Sequence, residues 1–243
     1  MKLLVVGAGA MGRWFAERVA TANDAVGFAD TDPDAAQAAV DEVGGRVVEP
    51  AAEESFDVVC VAVPMPAAAD AIEAYAPQAE RAICDVTGSM RDPMAAMREH
   101  APDCERLSLH PLFAPERAPG NVAVVTDNGG DVSETVREQL AAGGNDVVET
   151  TPEEHDEAME TVQARAHTAV LAFAAAAEDV PDHFQTPISA GLFDLVDQTT
   201  GGEGRVYADI QAAFDGAEDV AAAAAEIADA DADRFVDFYE RLS

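Results

Sequence analysis

Lysine is almost absent from this chain: Lys2 is the only one in 243 residues, and lysine and arginine together number 14 against 47 aspartates and glutamates. A formal net charge of −33 repels nucleic acid and anionic membrane surfaces, so neither is expected as a partner. The acids are spread along the chain rather than gathered in a tail, and 49% of residues are hydrophobic, so the composition is globular, not disordered. A solvated acidic skin with so little lysine fits a protein from a halophilic archaeon, where dense cations screen the self-repulsion.

Cysteine is also scarce. Cys60, Cys84 and Cys104 are odd in number and lack metal-ligand spacing, so a disulfide framework and a metal site are not expected. They read as small buried hydrophobes in a reducing compartment. No apolar run is long enough to span a membrane. The opening MKLLVVGAGA meets Arg13, Glu17 and Arg18 too soon for a signal peptide, so a cytoplasmic location is expected.

The first half alternates apolar runs with helix-compatible stretches. The runs are 2–6, 25–29, 57–63, 82–86, 107–110 and 122–125, the rhythm of a mostly parallel sheet. After Thr150-Thr151-Pro152 only helical patterns follow, from Glu153–Glu178 to Glu218–Arg241. The expected architecture is α/β: an N-terminal doubly wound Rossmann domain over 1–151, then an all-α domain over 152–243. The run VAAAAAEIADADAD is low in complexity, but alanine favours helix over linker.

GAGAMG follows the first strand directly and opens a helix, the context a dinucleotide fingerprint requires. Gly7 permits the tight turn, Gly9 lets the backbone approach a pyrophosphate, and Gly12 allows close helix–strand packing; Ala10 and Met11 complete the loop. The helix N-terminus offers unpaired N–H groups to the phosphates. Asp30 ends the second run, placed to accept hydrogen bonds from adenosine ribose hydroxyls and to repel a 2′-phosphate. NAD is therefore the expected cofactor, with a turn role in ADTDPD as the alternative for Asp30. Val63 and Pro64, in VAVPMP, lie where a proline forces the chain off the sheet, beside the same cleft.

Hydride transfer from an alcohol needs a group that takes the hydroxyl proton. His110, in LHPLFAP, closes a further run, is held extended by Pro111, and carries an imidazole whose ordinary pKa near 6.5 suits neutral pH. A strand-end hydrogen bond is its structural alternative.

These segments resemble the prephenate dehydrogenase family. LHPLFAP is similar to the family's LHPMFGP; EHDEAMETVQARAHTAVLAFA, residues 154 to 174, is similar to EHDxxMxxIQxxxHFxxFA; TPI at 186–188 and VYADIQ at 206–211 match SPI and LYADI. The resemblance implies oxidative decarboxylation of prephenate to 4-hydroxyphenylpyruvate in tyrosine biosynthesis, with His110 as partner of the substrate hydroxyl. It also implies that Gln163 and His167 lie near the substrate and that the helical domain forms a homodimer. Arogenate dehydrogenase, another hydroxyacid dehydrogenase and an NAD-binding regulatory module without turnover are the competing readings.

Two departures stand out. In DVTGSMRD, Gly88 occupies the serine column of the family's DxxSxK, leaving Ser89 as the substitute catalytic serine. TPISA places Ala190 where SPIYR has a carboxylate-gripping arginine. Arg117, Arg165 and Arg205 are then the candidates to hold the substrate carboxylates, each with a surface ion pair as the alternative.

Overall fold

The computed structural model describes residues 1–50 and 52–242, so Ser243, the last position of the expected second domain, lies outside them. It divides into two compact units, Met1–Asp156 and Glu157–Ser243.

The described residues of the first unit form one eight-stranded sheet. Its strands are β1 (Lys2–Val6), β2 (Ala25–Ala29), β3 (Arg46–Val47), β4 (Phe56–Val61), β5 (Ala79–Asp85), β6 (Glu105–Pro111), β7 (Asn121–Asp127) and β8 (Asp146–Glu149), in the order β3-β2-β1-β4-β5-β6-β7-β8. Neighbours are parallel except β6 and β7, which are antiparallel. Chain order reverses between β1 and β4, the switch point of a doubly wound sheet.

The interleaved helices are α1 (Ala10–Val19), α2 (Pro33–Val43), α3 (Ala68–Tyr75), α4 (Arg91–His100) and α5 (Asp131–Ala142). Because successive strand residues point to opposite faces, Leu3 and Val5 join one apolar cluster, with Trp14 and Phe15 of α1 and Leu140 of α5. Leu4 and Val6 join another, with Ile72 of α3 and Met97 of α4. Both faces are therefore covered, which is why β1 is apolar throughout and shows no alternation. All three cysteines are free thiols inside this packing.

The second unit is helical. It continues α6 (Pro152–Met159) through a π-turn, Glu160–Arg165, into α7 (Ala166–Ala176), followed by α8 (Pro187–Thr200), α9 (Gly204–Ala213), α10 (Ala217–Ala228) and α11 (Ala232–Arg241). The sequence predicts one uninterrupted helix over 153–178. Within this widened turn the carbonyl of Ala164 accepts a hydrogen bond from Nε2 of Gln211 on α9. The helix expected over 218–241 breaks at residues 229–231, where the Asp231 side chain caps α11 by accepting the N–H of Arg234. Among the described residues, no helix is long and apolar enough to cross a membrane.

Candidate active site

The glycine loop sits at the switch point. Gly7 has φ +97°, and a Cβ there would lie 2.3 Å from the carbonyl oxygen of Ala62, just beyond β4; only glycine tolerates both. A Cβ on Gly12 would meet the Gly7 carbonyl at 2.1 Å, so α1 can press on β1 only with glycine here. Gly9 caps α1 with no side-chain partner, and nothing lies within 4 Å of its missing Cβ. That leaves open space in front of the first N–H groups of the helix, at Ala10 and Met11. Such a helix end fits a pyrophosphate.

Asp30 turns toward this loop. Its Oδ2 accepts the N–H of Ala8 at 2.7 Å and its Oδ1 accepts the N–H of Asp32 at 2.9 Å. The carboxylate thus braces both the glycine loop and its own turn, with lone pairs to spare for a ligand hydroxyl. Val63 packs against the second apolar cluster, and Pro64 starts the short 3₁₀ turn Met65–Ala67.

His110 ends β6, opposite Ala123 of β7. Since β6 runs parallel to β5, and β5 to β4, this carboxyl end shares the sheet edge of the glycine loop. Behind His110 stands His155 of α6: His110 Nδ1 and His155 Nε2 are 2.8 Å apart, and His155 Nδ1 is 2.8 Å from Asp156 Oδ1. Asp156 in turn accepts the N–H groups of Met90 and Arg91 at 2.9 and 3.1 Å. Those N–H groups open α4, whose own cap residue, Met90, supplies no side-chain acceptor. A guanidinium hydrogen bond from Arg91 to the Glu153 carbonyl fastens the two helix starts together.

The titration of these groups follows from their burial. Desolvation, with the neighbouring His155, pushes His110 down to about 3, which corrects the sequence-based value near 6.5. At neutral pH the ring is uncharged and accepts rather than donates protons. Burial acts to raise Asp156, but hydrogen bonds from His155, Met90 and Arg91 outweigh it and hold the carboxyl below its ordinary range. Asp85, fully buried at the end of β5, is pushed by desolvation up to about 7 against the hydrogen bonds it receives from Thr87. Its ladder partner Ser108 also acts to lower it, and the nearby Asp156 charge to raise it.

The other expected residues fall as follows. Ser89 presents its carbonyl to Thr87, and among the described residues its hydroxyl makes no hydrogen bond. A Cβ at Gly88 would lie 2.7 Å from the sulfur of Met65, so the thioether fills the place of a serine side chain. Arg117 lies on the 3₁₀ turn Pro115–Arg117, in the loop leaving His110. That loop is pinned to α1 by Phe113, packed edge-to-face on Trp14 at 5.4 Å. Arg117 is exposed and, among the described residues, makes no ion pair. Arg165 is taken up by Asp219 at 2.6 Å and Glu160 at 3.5 Å, and Arg205 by Asp209 at 2.8 Å. In the second unit, Gln163 lies on the π-turn, and His167 stands edge-to-face on Tyr207 at 4.9 Å, lowered by desolvation. His155, Asp156 and Asp85 were not among the residues singled out from sequence, although the EHD tripeptide holds two of them.

Residues 2–88 match the family described as NADP oxidoreductase, coenzyme F420-dependent. Across 232 residues the chain is 34% identical to 4-amino-4-deoxyprephenate dehydrogenase of Streptomyces pristinaespiralis, covering 88% of this chain and 78% of that protein. The chain belongs to the prephenate-type dehydrogenases. Solved structures of such dehydrogenases share its fold. Prephenate dehydrogenase of Aquifex aeolicus, in complex with hydroxyphenyl propionate and NAD+, superposes with a TM-score of 0.72 at 17% identity over 99% of this chain and 87% of that one. Arogenate dehydrogenase of Synechocystis gives 0.66 at 14% identity over 100% and 89%.

Proposed function

We propose that this prephenate-type dehydrogenase acts on prephenate with NAD, yielding 4-hydroxyphenylpyruvate and carbon dioxide for tyrosine biosynthesis. The observation that carries the reading is His110, an uncharged, buried acceptor on the same sheet edge as a glycine loop fitted to a dinucleotide. NAD, when bound at that loop, supplies the hydride acceptor. His110 takes the substrate O–H proton as the ring carbon bearing it loses hydride. A pKa of about 3 suffices, because the hydroxyl becomes strongly acidic as its carbon turns carbonyl-like. The ring carbon–carboxylate bond then breaks, its electron pair completes the aromatic ring, carbon dioxide leaves, and His110 returns the proton to the phenolate oxygen.

Ser89, through its backbone, and Gln163 and His167 are assigned to the substrate surroundings, and Arg117 to a substrate carboxylate. Asp30 favours NAD over NADP. A second reading, an amine in place of the ring hydroxyl, draws on the Streptomyces relative; arogenate, altered in the side chain instead, is the third. Offering the purified protein prephenate, arogenate and 4-amino-4-deoxyprephenate in parallel, and following NADH absorbance, decides among them. No turnover of any of the three would leave another hydroxyacid dehydrogenase or the regulatory module.

The helical unit is assigned to homodimerisation. No residue of α7, α10 or α11 is fully buried, and Phe235, Val236 and Leu242 are exposed, which a lone soluble unit rarely tolerates. Light scattering in molar salt should give twice the chain mass of 25.3 kDa. The salt itself matters to a halophilic, cytoplasmic enzyme: far-UV circular dichroism should show the fold weakening in dilute buffer, and an indifferent signal overturns that assignment.

A further inference from the structure

An imidazole has two neutral tautomers, and only one puts a lone pair on a given nitrogen. The chain of contacts behind His110 selects between them. Asp156 accepts two backbone N–H groups at the start of α4, where the helix dipole also favours its negative charge. An ionised carboxylate can only accept, so His155 Nδ1, 2.8 Å away, carries its hydrogen. Where the His155 ring carries a single proton, its Nε2 accepts, and His110 Nδ1, also 2.8 Å away, donates to it. The lone pair of His110 is then on Nε2.

We propose that His155 and Asp156 are positioning residues that lock His110 in its Nδ1–H tautomer, leaving Nε2 as the acceptor for the substrate's ring O–H or N–H. What Nε2 does rests on the dehydrogenase reading; the tautomer does not. The arrangement also ties the first turn of α6, which belongs to the first unit, to the start of α4. The N-terminus of α4 lacks a side-chain cap of its own, and Asp156 supplies one while anchoring the two rings in series.

The test is long-range ¹H–¹⁵N NMR of the full-length labelled protein at neutral pH, with His110 signals identified by their loss in His110→Asn. The wild type should show His110 protonated at Nδ1. His155→Leu should move the population toward Nε2–H and lower kcat about 10- to 100-fold, with KM for NAD unchanged. His155→Gln, whose Oε1 can take the place of Nε2, should restore the tautomer and much of the rate. A wild-type His110 protonated at Nε2, or a tautomer indifferent to His155→Leu, overturns the proposal. A tautomer that behaves as stated while His110→Asn leaves turnover intact would instead sink the catalytic reading and spare the relay.

Discussion

His110 and His155 meet nitrogen to nitrogen at 2.8 Å, with ring centroids 5.0 Å apart and planes inclined by 72°. The pair comes from distant parts of the first unit, the end of β6 and the first turns of α6, and both rings are buried. His110→Asn should lower kcat about 10²–10⁴-fold, the range for loss of a general base. Since burial holds His110 near 3, its neutral form prevails throughout the neutral range. The acid limb of kcat/KM should therefore lie below pH 5, and an inflection near 6.5 that disappears in His110→Asn contradicts the assignment. The same shift bears on stability. A histidine whose folded pKa is lowered stabilises the fold fully above its unfolded value near 6.5, and this is lost as pH falls toward 3, by up to about 1.4 kcal/mol per pH unit.

Asp85 has the opposite sign. Its folded pKa is raised from 3.8 to about 7, so the unfolded chain ionises first and stability drains away as pH rises from about 4 to 7. Asp85→Asn keeps an oxygen for the N–H and hydroxyl of Thr87 and removes the buried charge. The variant should melt higher than the wild type at pH 8 and by much less at pH 4.5. Full ionisation across that window corresponds to no more than about 4 kcal/mol. Thermal melts of both proteins at the two pH values measure it, and a gap independent of pH refutes the buried-charge account.

Most of the sheet was readable because its strands are short apolar runs bounded by turn residues. β3 and β8 were not, since Arg46–Val47 spans two residues and Asp146–Glu149 carries an acid at each end. The glycine loop was legible because Gly7 and Gly12 each answer a steric demand. The strand end at His110 was legible because Pro111 fixes its backbone. Asp156 was not, as its partners are backbone N–H groups more than sixty residues earlier in the chain. One trace of it does exist in sequence: α4 begins after Met90, a poor cap, and a helix start without a local acceptor requires a distant one. The π-turn left no such trace; the side chain that meets its Ala164 carbonyl, Gln211, lies on another helix, α9.

The three candidate arginines separate by what they already hold. Arg165 and Arg205 are each engaged by carboxylates of this chain, whereas Arg117 rides on the loop that leaves His110 and is pinned to α1 through Phe113 and Trp14. Arg117→Gln should raise KM for the dicarboxylate substrate about tenfold or more, as expected for a charge-assisted hydrogen bond, with kcat nearly unchanged. Arg165→Gln and Arg205→Gln should each alter KM by less than a factor of about three, in line with exposed pairs. Steady-state kinetics on the three variants ranks them, and a larger effect at Arg205 would transfer the role.

Asp30, the residue proposed to favour NAD, also shapes the glycine loop. Its Oδ2 holds the Ala8 N–H at 2.7 Å and its Oδ1 holds that of Asp32, so the side chain that would meet the ribose also fixes the backbone beneath it. Removing it should therefore do two things at once. Asp30→Ala should raise KM for NAD about tenfold, from the lost ribose contact and the loosened loop together. Asp30→Asn retains an acceptor for Ala8 and loses only the charge, so it should disturb NAD less while relaxing the exclusion of a 2′-phosphate. The ratio of kcat/KM for NAD to that for NADP reports the second effect alone. It should fall in both variants, and a wild-type enzyme that already prefers NADP would show that the carboxylate serves the turn and not the cofactor.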